Sequence, residues 1–139
     1  HEHAKKMAGS VGYTAKLTID SQLAQLLRLR VAQINPCSYC LILHNKAAAD
    51  QAISPERIAH LPSWRESTLF SPAEGAALAY CEALTVFDQA RFAAAHEAAT
   101  KLFDERQIAE IAAVIINMNV WTRLKLAQGA TPVIATDHV

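Results

Sequence analysis

The chain is predicted to be all-α, a single domain of about six helices, and three observations predict it. Alanine leads the composition with 27 of 139 residues, and Leu, Gln, Arg, Lys and Glu fill much of the rest. These are the residues that lose least on entering a helix. Glycine (4) and proline (5) are few, and no Asn-Gly or Asp-Gly pair marks a hairpin. No alternating β-branched run reads as a strand.

Each element has its own start and stop. Asp20 or Ser21 caps a helix reaching about Ile34, with Leu23, Leu26, Leu27, Leu29 and Ile34 as its apolar positions. Asn35-Pro36 pairs a favoured cap with a favoured first helical residue, so a second helix is predicted from Pro36 to about Gln51. Ser54-Pro55-Glu56 repeats the signal for a short helix ending near His60, and residues 61–70, with Pro62 and Trp64, read as an ordered loop. Ser71-Pro72-Ala73-Glu74 is a capping box opening a helix to about Val86. A further helix covers roughly residues 89–103. Asp104 with Gln107 forms a second capping box for the last and longest helix, which runs to about Gln128 and is closed by Gly129 and Pro132. About 12 residues at the start and residues 134–139 are predicted to be flexible tails, and His1 and His3 are assigned no function.

The balance of 13 basic and 13 acidic residues offers no electrostatic footprint for nucleic acid or an anionic membrane. No apolar stretch approaches the roughly 20 residues a membrane-spanning helix needs, and no signal peptide is recognised. The apolar fraction is 52% and the charged fraction 19%, a combination that excludes disorder and predicts a homo-oligomer. The segment Ile108-Ala-Glu-Ile-Ala-Ala-Val-Ile-Ile116 is apolar on nearly every side and is predicted to be buried all round, and the helix from Asp20 to Ile34 is likewise rich in Leu.

The chemistry centres on Cys37-Ser38-Tyr39-Cys40 with His44. Three cysteines with one close pair do not make a secreted disulfide framework, which favours a reducing cytoplasm. With Asn35 as cap, Cys37 falls at about N2 and Cys40 at about N5. Residues three apart share a helix face, and unpaired N–H groups with the positive end of the helix dipole favour a thiolate there. His44 follows Cys40 by four residues, one turn along the same face, where an imidazole can take a proton from a thiol or give one to a leaving group. A dithiol redox centre is the favoured reading. The rivals are a zinc site, which lacks an evident fourth ligand, and two core cysteines beside an unrelated histidine. A thioredoxin fold is disfavoured because no strand precedes the motif.

Val31-Ala-Gln-Ile-Asn-Pro-Cys-Ser-Tyr-Cys-Leu-Ile-Leu-His44 resembles the signature of the carboxymuconolactone decarboxylase-like, alkylhydroperoxidase D (AhpD)-like family. Trp64-Arg-Glu-Ser-Thr-Leu-Phe-Ser-Pro72, Glu82-Ala-Leu-Thr85 and Asn119-Val-Trp121-Thr-Arg123 resemble further segments of its single-domain members, in the same order, so the likeness spans about residues 15–132. It implies an AhpD-like helical fold assembled as trimers or hexamers, and a thiol peroxidase acting on hydroperoxides in antioxidant defence. In that branch the second cysteine attacks the peroxide, which makes Cys40 the nucleophile, Cys37 the resolving thiol and His44 the acid/base. No cofactor is bound; an external dithiol, of lipoyl type in the family's best-known member, or a protein reductant would regenerate the pair.

One departure stands out. The peroxidase branch has Glu twelve residues before the first cysteine, where this chain has Gln25. Gln cannot act as a base, although it can hold a water or the imidazole. Glu82 is the nearest substitute, expected either to reach His44 from another helix or to form a salt bridge. The departure keeps a second function open, a redox-sensing or structural oligomer with little turnover; a carboxymuconolactone-type decarboxylase is a third. Cys81, Trp64 and Trp121 are expected to pack, Asn119 and Arg123 to close the fold, and His60 and His96 to lie on the surface. Tyr39 is expected to pack or to line an entry. Arg28 and Arg30 are expected on a solvated or inter-subunit salt-bridge surface rather than at an anion site.

Overall fold

The computed structural model describes residues 1–133. Among them the chain forms seven α-helices and no strand: α1 (Glu2–Val11), α2 (Ser21–Ile34), α3 (Ser38–Asp50), α4 (Pro55–His60), α5 (Pro72–Thr85), α6 (Gln89–Thr100) and α7 (Glu105–Ala127), with a 3-10 segment, Leu61–Glu66, after α4. The predicted caps at Asp20, Ser54, Ser71 and Asp104 hold, Asp88 is a further cap, and Asn35 is the exception. Asp20, Ser54 and Asp88 each accept from a backbone N–H of the first turn, and Ser71 with Glu74 and Asp104 with Gln107 form reciprocal capping boxes. Gly129, at φ 64°, closes α7 as a Schellman motif, with N–H bonds from Gly129 to Leu126 O and from Ala130 to Lys125 O.

Helix α2 is the axis of the fold. It packs against α3, α5 and α7, and Leu26, Leu27, Leu29 and Val31 have no exposed surface. It is the helix buried all round. The expectation for Ile108–Ile116 is corrected: Ile111, Val114 and Ile115 enter the core, while Ile116 is 46% exposed. The reason is position, since α2 runs through the middle of the bundle and α7 along its flank.

Two more expectations are corrected. The opening residues form α1, which packs against α7 and buries Ala4, so they are not a loose tail. The loop after α1 is pinned to α7 by Glu110, whose carboxylate accepts from Thr18 N at 2.8 Å and from Ile19 N at 3.3 Å. Second, α3 does not begin at Asn35-Pro36. Asn35 ends α2, and its side-chain Nδ2 donates to Asn119 Oδ1 at 2.8 Å and to Thr122 Oγ1 at 3.1 Å. Engaged with α7, Asn35 cannot cap α3, and Cys37 takes the cap position. The predicted tail at residues 134–139 lies outside the described residues.

Candidate active site

The cap position sets the geometry of the thiols. Cys37 has extended backbone, and its Sγ accepts from the Cys40 backbone N–H at 3.3 Å. The two free thiols are neighbours at the start of α3. Both are buried. They face different openings. Cys40 lines a cavity of about 450 Å³ between α1, α3 and α7, walled by Leu43, Met118 and Trp121. Cys37 lines a smaller cleft, about 160 Å³, with Pro36, Ser38 and the end of α7. Burial pushes the Cys40 thiol up to about 12, helped by its contact with Cys37 and opposed by the nearby Lys125 ammonium.

His44 lies one turn on and is buried at the edge of the same cavity. Burial, aided by the positive charge of Arg28, drives its pKa down to about 4, so the ring is neutral near pH 7. The hydroxyl of Tyr13 stands 2.6 Å from His44 Nδ1. Gln25, fully buried on α2, approaches the same nitrogen with Nε2 at 3.4 Å. The Gln25 amide has one orientation: Nε2 donates to the His44 carbonyl at 3.0 Å, and Oε1 accepts from Arg28 Nη1 at 3.3 Å. An N–H aimed at Nδ1 requires a lone pair there. Nδ1 is therefore the acceptor, Tyr13 donates to it, and the ring proton sits on Nε2.

The structure brings Cys37, Cys40, His44 and Gln25 together. It does not bring Glu82. Of the two expectations for that residue the salt bridge holds: Oε1 accepts from Trp64 Nε1 at 2.8 Å and from Arg30 Nε at 3.1 Å, and Oε2 from Arg65 Nη1 at 2.6 Å. Burial alone would raise its carboxyl, but the bonds from Trp64 and Arg65 and the charges of Arg30 and Arg65 hold it below its usual value. Fully engaged in joining α2, α5 and the 3-10 segment, it lines a different groove from His44.

Arg28 is a further correction. It is 5% exposed and lies under the Tyr13 ring, 4.5 Å from the centroid, rather than on a solvated surface. Tyr13, Arg28, Asn117 and Lys125 all line the Cys40 cavity, and of these only Arg28 carries an expectation from the sequence, on a surface rather than at an anion site. Arg28 and Asn117 left a trace in the sequence, each being a polar residue inside an otherwise apolar run, Leu26-Leu27-Arg28-Leu29 and Ile115-Ile116-Asn117-Met118. Tyr13 left none, because nothing local ties it to His44.

Asn119 is structural, as expected, bonding Asn35, Ile115 O and Thr85. Trp121 lines the cavity, and Tyr39 lies at its mouth beneath the Lys125 ammonium at 4.7 Å. Cys81 is fully buried, and burial pushes it up to about 12. His60 and His96 are exposed. Among the described residues no three His, Cys, Asp or Glu side chains converge as a metal site, and no helix is long and apolar enough to cross a membrane.

The chain is 30% identical over 129 residues to the uncharacterised protein YdfG of Bacillus subtilis, covering 92% of this chain and 88% of that one. It is 28% identical over 109 residues to the uncharacterised YnjA of Escherichia coli, covering 78% and 60% respectively. Its fold matches a solved Agrobacterium tumefaciens protein of unknown function, described as a candidate antioxidant defence protein AhpD, with a TM-score of 0.87 at 22% identity over 96% of this chain and 90% of that one. An uncharacterised peroxidase-related protein from Silicibacter matches with a TM-score of 0.75 at 20% identity, over 92% and 67%. Residues 3–83 match the sequence profile of the carboxymuconolactone decarboxylase family. With that profile across more than half its length and the helical AhpD-like fold around it, the chain belongs to the carboxymuconolactone decarboxylase family.

Proposed function

We propose that the protein is a thiol peroxidase that cycles between the Cys37/Cys40 dithiol and its disulfide. The observation carrying this reading is the neighbouring pair of free thiols at the start of α3, with Cys40 alone on the larger cavity and a neutral, hydrogen-bonded His44 beside it. The Cys40 thiolate attacks RO–OH, forming an S–O bond and breaking O–O, which gives Cys40 sulfenic acid and RO⁻. Of the two roles open to His44, the proton on Nε2 favours donation to RO⁻. Tyr13 then passes its proton to Nδ1, and its phenolate, beside Arg28, is reprotonated from solvent by the equivalent the thiol lost. Cys37 attacks the sulfenic acid, releasing water and closing the disulfide. An external dithiol, of lipoyl type or on a partner protein, supplies two electrons and two protons to restore the pair.

In this reading the reduced dithiol suits a cytoplasmic setting. The chain assembles as a homo-oligomer, supported by the exposed apolar residues Ile42, Ile116, Leu126, Val86 and Phe87.

Free-thiol titration around one equivalent of tert-butyl hydroperoxide tests the reading. Three free thiols should fall to one, the buried Cys81, and dihydrolipoamide should restore them with turnover. Cys40→Ser should lose none, and Cys37→Ser should stop at a sulfenic acid. Turnover surviving in Cys40→Ser, or unreactive wild-type thiols, overturns it.

A further inference from the structure

Among the described residues, two buried groups around the Cys40 cavity are left without a full set of partners. Arg28 is 5% exposed, and its contacts are all neutral: Gln25 Oε1 at 3.3 Å, Val11 O at 3.2 Å and the Tyr13 ring at 4.5 Å. Tyr13 cannot serve as counter-ion, because burial holds its phenol above the usual value and so protonated. Among the described residues no carboxylate pairs with Arg28 or with Lys125, the other cation on the cavity, and no acidic side chain lines it. Buried charges are normally paired. The second group is Asn117, 4% exposed, whose Oδ1 is buried with no hydrogen-bond partner among the described residues. A buried acceptor left unmade is costly, and the residue that carries this one lies on the cavity wall.

We propose that this cavity binds an organic anion: a carboxylate on Arg28, an O–H donated to Asn117 Oδ1, and an apolar body against Leu43, Met118 and Trp121. The ligand removes both deficits at once, and the cavity, about 450 Å³, holds far more than hydrogen peroxide. Taking that ligand as the substrate rests on the thiol peroxidase reading. The substrate class is then a hydroperoxide of an apolar carboxylic acid, its O–O–H end at Cys40 and Asn117. The anion site itself needs no thiol chemistry.

The test uses ligands that cannot react. Calorimetric titration of the reduced full chain compares 8-hydroxyoctanoate with 1,8-octanediol, which differ in the charged end. The acid should bind about tenfold or more tightly, the scale of a charge-assisted hydrogen bond in a buried site. Arg28→Gln should abolish that preference, and Asn117→Leu should weaken both ligands alike. Equal affinity, or binding of neither, overturns the proposal, and since this comparison uses the wild-type chain, a misfolded variant does not obscure it. Anion preference with unreactive thiols would overturn the peroxidase reading alone; reactive thiols with no preference would overturn the anion site alone.

Discussion

The phenol of Tyr13 donates to Nδ1 of His44 across 2.6 Å, joining the loop after α1 to the middle of α3. Two anchors hold the segment that carries Tyr13. Glu110 on α7 holds Thr18 and Ile19, and Arg28 Nη2 donates to Val11 O at 3.2 Å. Together with the fixed amide of Gln25, the phenol leaves the imidazole proton on Nε2.

Tyr13→Phe should therefore lower the rate of peroxide reduction by about tenfold or more, within the range for loss of a proton-transfer group. Folding stability should change by only about 1 kcal/mol, the worth of one part-buried hydrogen bond. Nitrogen chemical shifts of His44 check the cause, showing the Nε2–H form in the wild type and a tautomer mixture in the variant. A wild-type ring protonated at Nδ1 would contradict it.

Acidity shapes both rate and stability. With Cys40 pushed up to about 12, the thiolate fraction grows with pH, so peroxide-driven thiol loss should rise by about tenfold per unit from pH 6 to 9. A plateau inside that window would refute this. His44, down at about 4, contributes no step between pH 5 and 8.

For stability the sign follows from proton uptake. Between about pH 6.5 and 4 an unfolded His44 is protonated while the folded one is not, so stability falls as pH drops through that window, by an amount on the order of 3 kcal/mol. Urea unfolding at pH 7 and pH 4.5 measures the loss, and His44→Asn should remove most of it.

Glu82→Gln separates structure from catalysis. Its carboxylate joins Trp64, Arg30 and Arg65, so the variant should lose about 1–2 kcal/mol of stability. The peroxide rate and its pH profile should remain those of the wild type. Because the Glu82 carboxyl is held low, its contribution is present near neutral pH and fades on acidification, and the melting-temperature gap between variant and wild type should narrow there.

Ala52 offers a stabilising change. It follows α3 with φ 63°, in a Schellman turn where Ile53 N donates to Ala48 O at 3.1 Å and the Ile53 side chain is buried. An alanine is strained in that left-handed conformation and glycine is not. Ala52→Gly should raise stability by roughly 0.5–1 kcal/mol in denaturant unfolding; a loss would show that the turn tolerates Ala without strain.

The helices and most of their ends were legible in the sequence because the signals are local. Ser71 with Glu74 and Asp104 with Gln107 satisfy each other within one turn, and Gly129 meets its own helix's carbonyls. The thiol pair and His44 were legible for the same reason, since helical spacing places residues three and four apart on one face. Even there the cap lies two residues beyond its local signal: Asn35 is engaged in bonding Asn119 and Thr122 on α7, which leaves the cap to Cys37.

The surroundings of those residues depended on contacts between distant segments. Nothing near Tyr13 in the chain announces His44, and nothing near Glu82 chooses Arg30, Trp64 and Arg65 over the imidazole. Whether Arg28 faces water or lies buried follows from α2 running through the middle of the bundle. Local propensity thus specifies helices and the order of reactive groups along one of them. Their protonation, partners and cavity arise only when packing removes water and brings remote side chains within hydrogen-bonding reach.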